Sequence, residues 1–168
     1  MNTDLGRPGE PGLQAVMDQE NKFLQFELDG EYYGVDILKV REINGLMDIT
    51  AVPQTPLFMK GLINLRGKVV PVIDLRLKFG LPEYRYDERT SIIVIEIKSV
   101  HGQVQMGIVV DTVSEVVNIR AENIEPAPNF GARLKSDYIR GMAKAKGRVI
   151  IILDIDLILT DEELTFGA

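Results

Sequence analysis

The chain has no cysteine, which excludes a disulfide framework, a thiolate nucleophile and any sulfur-ligated metal. Its single histidine, His101, stands beside Gly102 in what reads as a hairpin turn. It lacks the partners that a general base or a metal site needs. Runs of Lys and Arg are missing as well, and 25 acidic against 19 basic residues leave a net charge of −6. Nucleic acid and anionic membranes are therefore poor partners. The longest aliphatic run, Val149 to Leu153, stops at Asp154 and is far too short to span a bilayer. Residues 1–21 lack the basic start and apolar stretch of a secretion signal. They read as a disordered leader, and the protein is expected in the cytoplasm.

What remains is an ordinary folding composition, with 45% hydrophobic and 26% charged residues. Leu24, Phe26 and Leu28 alternate with polar residues, and Asp29-Gly30 follows as a turn, so a hairpin returns through Tyr33 and Val35. After Gly34 the period changes, and Ile37 to Glu42 suit a short helical turn or an irregular bend better than a strand. Thr55-Pro56 looks like a helix start that Gly61 ends. Asn64 to Lys68 then forms a tight connection into a strand over Val69 to Asp74, which Pro71 places at an edge or on a bulge.

Beyond the polar link Pro82 to Arg89 the same order returns. Ile92 to Ile97 and Val104 to Val110 read as strands about the His101-Gly102 turn, and Asp111 to Ile119 as the irregular or helical piece. A polar loop follows Ala127-Pro128, and Gly141 to Gly147 connect into a strand over Val149 to Asp154. The apolar positions Ile155, Ile158 and Leu159 then indicate a short helix packing back on the body.

The recurrence holds residue by residue. At an offset of 80, Gly61, Gly67, Val69, Asp74 and Leu77 meet Gly141, Gly147, Val149, Asp154 and Leu157, while Arg66 meets Lys146. At an offset of 73, Gly34, Val40, Glu42 and Ile43 meet Gly107, Val113, Glu115 and Val116. Two similar β-lobes follow, each too small to bury its apolar surface alone, so they should pack face to face.

Two stretches imitate catalytic chemistry and fail on inspection. Gly61 to Lys68 suggests a phosphate loop, but its glycines are six positions apart where the motif needs five, and Val69 stands where the metal-binding Ser or Thr belongs. Asp154 and Asp156 would share one face of a continuing strand, as a general acid and base pair can. The repeat places Arg76 opposite Asp156, so the pair is absent from the first copy and reads as a strand terminus.

Four stretches carry a family resemblance: Tyr33 to Ile43, Phe58 to Gly67, Val70 to Leu75 and Gly107 to Val116. Together they resemble the CheW family of chemotaxis coupling proteins, from Phe23 to Leu164. The fold is also similar to the regulatory domain of the kinase CheA and to the front half of CheV. The resemblance implies a mainly β fold of two SH3-like five-stranded barrels with short helices, forming one domain over residues 22–164. One lobe is expected from residues 22–81 with the C-terminal segment and the other from 90–153, with a tail at 165–168.

It further implies a non-enzymatic adaptor without cofactors or metals. Such an adaptor links the cytoplasmic tip of methyl-accepting chemotaxis receptors to the histidine kinase CheA and is recruited to membrane receptor arrays through protein contacts. The family's receptor-binding positions fall on Val40, Glu42, Gly61, Arg66, Gly107, Val113 and Val116. With Ile43 they suggest a groove that takes the apolar face of a receptor helix. The bare sequence leaves open whether the four apolar residues are core, and whether Arg66 and Glu42 serve binding or hold the barrel.

Overall fold

The structure is a computed structural model and describes residues 21–99, 102–126 and 136–160. Its ten strands are β1 (Lys22–Leu28), β2 (Glu31–Asp36), β3 (Val40–Gly45), β4 (Met59–Leu65), β5 (Lys68–Asp74), β6 (Ser91–Ser99), β7 (Gly102–Val110), β8 (Thr112–Asn118), β9 (Ile139–Ala145) and β10 (Arg148–Leu153). They form two five-stranded sheets, in the orders β8-β1-β2-β10-β9 and β3-β6-β7-β5-β4. Short helices α1 (Leu75–Lys78) and α2 (Ile155–Leu159) follow β5 and β10. Each starts on an aspartate: Asp74 accepts from the amides of Arg76 and Leu77, and Asp154 from that of Leu157. Capping satisfies helix-end N–H groups that would otherwise lack partners. Asp154 thus ends a strand, as the repeat suggests.

The lobes do not divide where the polar link suggested. One sheet is the continuous segment from β3 to β7, and the other joins β1 and β2 to β8, β9 and β10. The boundaries are the 3-10 turn Ile37–Lys39 and the single residue Asp111. Each repeat therefore places its first hairpin in the other repeat's sheet. The two docking registers agree: β2 meets β10 in parallel with Gly34 opposite Ile152, and β7 meets β5 with Gly107 opposite Val72. Lobe limits of 22–81 and 90–153 do not coincide with these sheets, because strand pairing crosses between the repeats.

Burial explains why both hairpins read as apolar runs. Ile93, Ile95 and Ile97 of β6 face a central cluster between the sheets, which also holds Leu24, Phe26, Ile73 and Leu153. Ile92 and Val94 point the other way, into a smaller cluster with Val70, Val72 and Val109. A matching cluster of Phe23, Ile150 and Ile152 lies inside the split lobe. At about 1.5–3 kcal/mol for each fully buried aliphatic side chain, the central cluster provides most of the force that joins the lobes.

Several local expectations are corrected. Residues 40–45 and 112–118 are strands, and both carry register shifts: Arg41 is the extra residue between Val40 and Glu42 against β6, and β8 is bulged between Val113 and Val116 against β1. A bulge breaks the alternation of two, which is why the period looked helical. Thr55-Pro56 opens no helix; the Thr55 hydroxyl donates to the Val52 carbonyl, and Met59 N–H bonds back to Pro56 in a single turn. Gly61 lies within β4 and Gly141 within β9, so residues 141–145 are strand and not connection.

Pro71 stands on β5, an inner strand between β7 and β4. It is tolerated because its partner Leu62 exchanges both backbone bonds with Thr50, and because pairing to β7 begins only at Val72. No ladder bond is lost there. Residues 1–20 of the leader, His101, residues 127–135 of the second polar loop and the tail at 165–168 lie outside the described residues.

Candidate functional site

The first half of the site is built by the turn from β4 to β5. Arg66 and Gly67 both have positive φ, 51° and 85°, the signature of a tight two-residue hairpin loop. The Asn64 side chain accepts from the Gly67 amide at 2.7 Å and fixes that loop. The Arg66 side chain is thereby carried out to solvent and back across to β3. Its guanidinium grips Glu42 in two places, at 2.5 Å to Oε1 and 3.3 Å to Oε2. Asn44 donates to Oε2 of the same carboxylate at 3.1 Å. The Arg66 bonds, with help from Asn44, hold the Glu42 carboxyl below the usual carboxylate range and raise the Arg66 guanidinium.

The second lobe repeats the device. Lys146, with φ 54°, sits in the turn from β9 to β10 and meets Glu115 of β8 at 2.8 Å. Both pairs span the seam of an open sheet, joining the edge strand at one side to the hairpin turn at the other. The scaffold reading of Arg66 and Glu42 therefore has direct structural support.

Seam closure is completed by backbone. The chain leaving β3 comes round to β4, where Thr50 and Leu62 exchange N–H to carbonyl bonds of 2.8 Å each. The chain leaving β8 does the same at Glu125 and Met142, again at 2.8 Å. Beside these bridges stand Gly61 and Gly141. A Cβ on residue 61 would lie 2.0 Å from the Thr50 oxygen, and one on residue 141 would lie 2.5 Å from the Glu125 oxygen.

The apolar candidates divide by exposure. Val40 and Val113 are half-buried and pack on the central cluster. Ile43 and Val116 are 45% and 49% exposed, at equivalent places on the two edge strands. Gly107 is buried on β7, where a Cβ would press on Ile92 and Val72 at 3.0 and 3.1 Å. Glu42 and Arg66 are thus brought together, the four apolar residues are shared between two sheets, and Gly61 and Gly107 offer backbone shape.

Two ionic features escaped the sequence reading. Arg41 is paired with Glu96 on the neighbouring strand β6, and this pairing lowers the Glu96 carboxyl. Buried Arg76 bonds the Asp111 carboxylate at 2.7 Å and donates to the Pro82 carbonyl at 2.9 Å, while Tyr84 lies against its guanidinium. Asp111 in turn accepts from the Asp29 amide at 2.8 Å, so the cluster ties the β1–β2 turn to the crossover. The signal available in the sequence was the mismatch of Arg76 with Asp156 in an otherwise faithful repeat. Asp156 pairs instead with Lys39 at the other crossover, at 2.8 Å, with the charges reversed.

Among the described residues no group of His, Asp and Glu is placed to hold a metal, and no helix is long and apolar enough to cross a membrane. Two interlocked five-stranded sheets with stapled seams and exposed edge strands define a two-lobed β domain whose distinctive features lie on its surface. By the match of the CheW-like domain to residues 22–163, the chain belongs to the CheW-like domain family.

It is 46% identical over 143 residues to the chemotaxis protein CheW of Klebsiella aerogenes, covering 85% of this chain and 84% of that one. To the CheW of Bacillus subtilis it is 33% identical over 151 residues, covering 89% and 94%. Among solved structures it is similar to the scaffolding protein TtCheW of Thermoanaerobacter tengcongensis, with a TM-score of 0.74 and 36% identity, covering 85% and 94% of the two chains.

Proposed function

We propose that this chain is a non-enzymatic adaptor of chemotaxis that couples methyl-accepting receptors to the histidine kinase CheA, working in the cytoplasm at receptor arrays. The observation that carries the reading is the pair Ile43 and Val116. They are large apolar side chains left about half exposed at repeat-related positions on the two edge strands. Val40 and Val113 lie beside them, and the staple of Arg66 and Glu42 fixes the neighbouring turn. An amphipathic receptor helix could bury this apolar surface and set a carboxylate against Arg66, whose side chain is 77% exposed. Membership of a family whose relatives include chemotaxis proteins and a solved scaffolding protein supports the same reading.

Reconstitution tests it. The chain is added to receptor-containing membranes and CheA, and kinase autophosphorylation is followed with and without attractant. The expected result is receptor-controlled phosphorylation that depends on the chain. Unchanged kinase activity at saturating chain would count against the coupling role.

A further inference from the structure

We infer that the hairpin of β1 and β2 is an exchangeable element, and that two copies of this chain can trade it to form a dimer. Each split lobe would then be completed by the other chain. The chain already performs this exchange within itself, since each repeat finishes its sheet with the hairpin of the other repeat. The hairpin's contacts to β8 and β10 come entirely from residues beyond Asp111 in sequence. A second copy can supply them without a change in register.

What distinguishes the two forms is the hinge. The covalent link from the hairpin to the continuous lobe is Ile37–Lys39, a single 3-10 turn with no buried residue and Leu38 48% exposed. Its conformation is set by the Asp36 carboxylate, which accepts from the Leu38 amide at 2.9 Å. In the exchanged dimer this turn would open, and β2 and β3 would run on as one strand across residues 31–45. Opening the turn also gives up the packing of Ile37 on the central cluster and the Lys39–Asp156 pair; contacts outside the turn are the same in both forms, so the hinge decides between them.

The Arg76 cluster acts on the rate. Asp29 at the hairpin tip is bound through its amide to Asp111, and Asp111 is held by buried Arg76. Freeing the hairpin must break this clasp, whereas the monomer and the exchanged dimer both contain it. Losing the clasp therefore speeds exchange without moving the end point.

The absence of native cysteine makes the exchange readable. Lys22 and Asn118 are opposite one another on β1 and β8, so a Lys22→Cys/Asn118→Cys chain forms an intrachain disulfide as a monomer and an interchain one when exchanged. Deleting Leu38 and Lys39 in that background is expected to give a folded dimer by light scattering and a covalent dimer on a non-reducing gel. Two differently tagged full-length chains, unfolded and refolded together at high concentration, are expected to yield mixed dimers. When folded, differently tagged chains are instead incubated together at high concentration, Arg76→Met is expected to shorten the time to mixing by about tenfold or more, because a buried charged contact no longer resists opening. A shortened chain that folds as a monomer overturns the inference. So does one that fails to fold when the co-refolded full-length chains also give no mixed dimer.

Discussion

Gly61 and Thr50 approach so closely that a Cβ on residue 61 would lie 2.0 Å from the Thr50 carbonyl oxygen, and Gly61 has φ 142°. The contact closes the continuous lobe, and Gly141 against Glu125 closes the other. Gly61→Ala is expected to lower stability by roughly 2–4 kcal/mol, through backbone strain and loss of the bridging bonds. Gly45→Ala has open space and should stay within about 0.5 kcal/mol. Urea unfolding of the two variants measures the contrast.

Arg66 and Lys146 occupy the same corner of the two lobes, so comparing them separates scaffold from binding. Arg66→Ala is expected to weaken capture by receptor fragments while Lys146→Ala leaves it unchanged, with thermal midpoints and CheA binding the same for the two variants. Equal loss of receptor from both variants would return the pair to a purely structural role.

The Glu42 carboxyl offers a pH readout. Its hydrogen bonds to Arg66 hold its folded-state value below the usual one. Its contribution to stability is therefore present above the unfolded value and lost as pH falls through the folded value. Carboxyl NMR should place the Glu42 titration below that of an unpaired glutamate, and Arg66→Ala should move it upward. No movement in that variant would mean that the staple is not formed in solution.

Gln25 is 1% exposed, and its Nε2 has no partner among the described residues. It is opposite Gly34 on β2, as Val94 is opposite Gly107 in the other lobe. The repeat thus puts valine where this lobe has an amide. Replacing an unpaired buried donor should raise stability by about 1–2 kcal/mol for Gln25→Val. A lower denaturation midpoint would show that the amide has a partner in solution.

The burial of Tyr86 beside Asp74 gives another local test. Its hydroxyl donates to the Asp74 carboxylate at 2.6 Å, and burial together with that charge raises the phenol far above its ordinary value. Ultraviolet titration should leave Tyr86 protonated through the range where exposed tyrosines ionise. Tyr86→Phe should destabilise by about 1–2 kcal/mol by removing a partner from buried Asp74.

Much of this protein was determined by sequence alone. Alternating apolar residues from Leu24 to Leu28 and the turn glycines act over a few neighbours, so hairpins could be read directly, whereas the helix start expected at Thr55-Pro56 is a single turn and the helix that Asp74 caps went unread. The repeat of Gly34 with Gly107 and of Arg66 with Lys146 likewise exposed two equivalent lobes. Strands β3 and β8 were obscured because their bulges break the local period. What only the tertiary structure decided was which hairpin joins which sheet. Both sockets are apolar and accept the same register, so local pattern cannot distinguish them. The choice rests on a shared core and on long-range pairs, Arg76 with Asp111 and Lys39 with Asp156, whose partners are brought together only by folding.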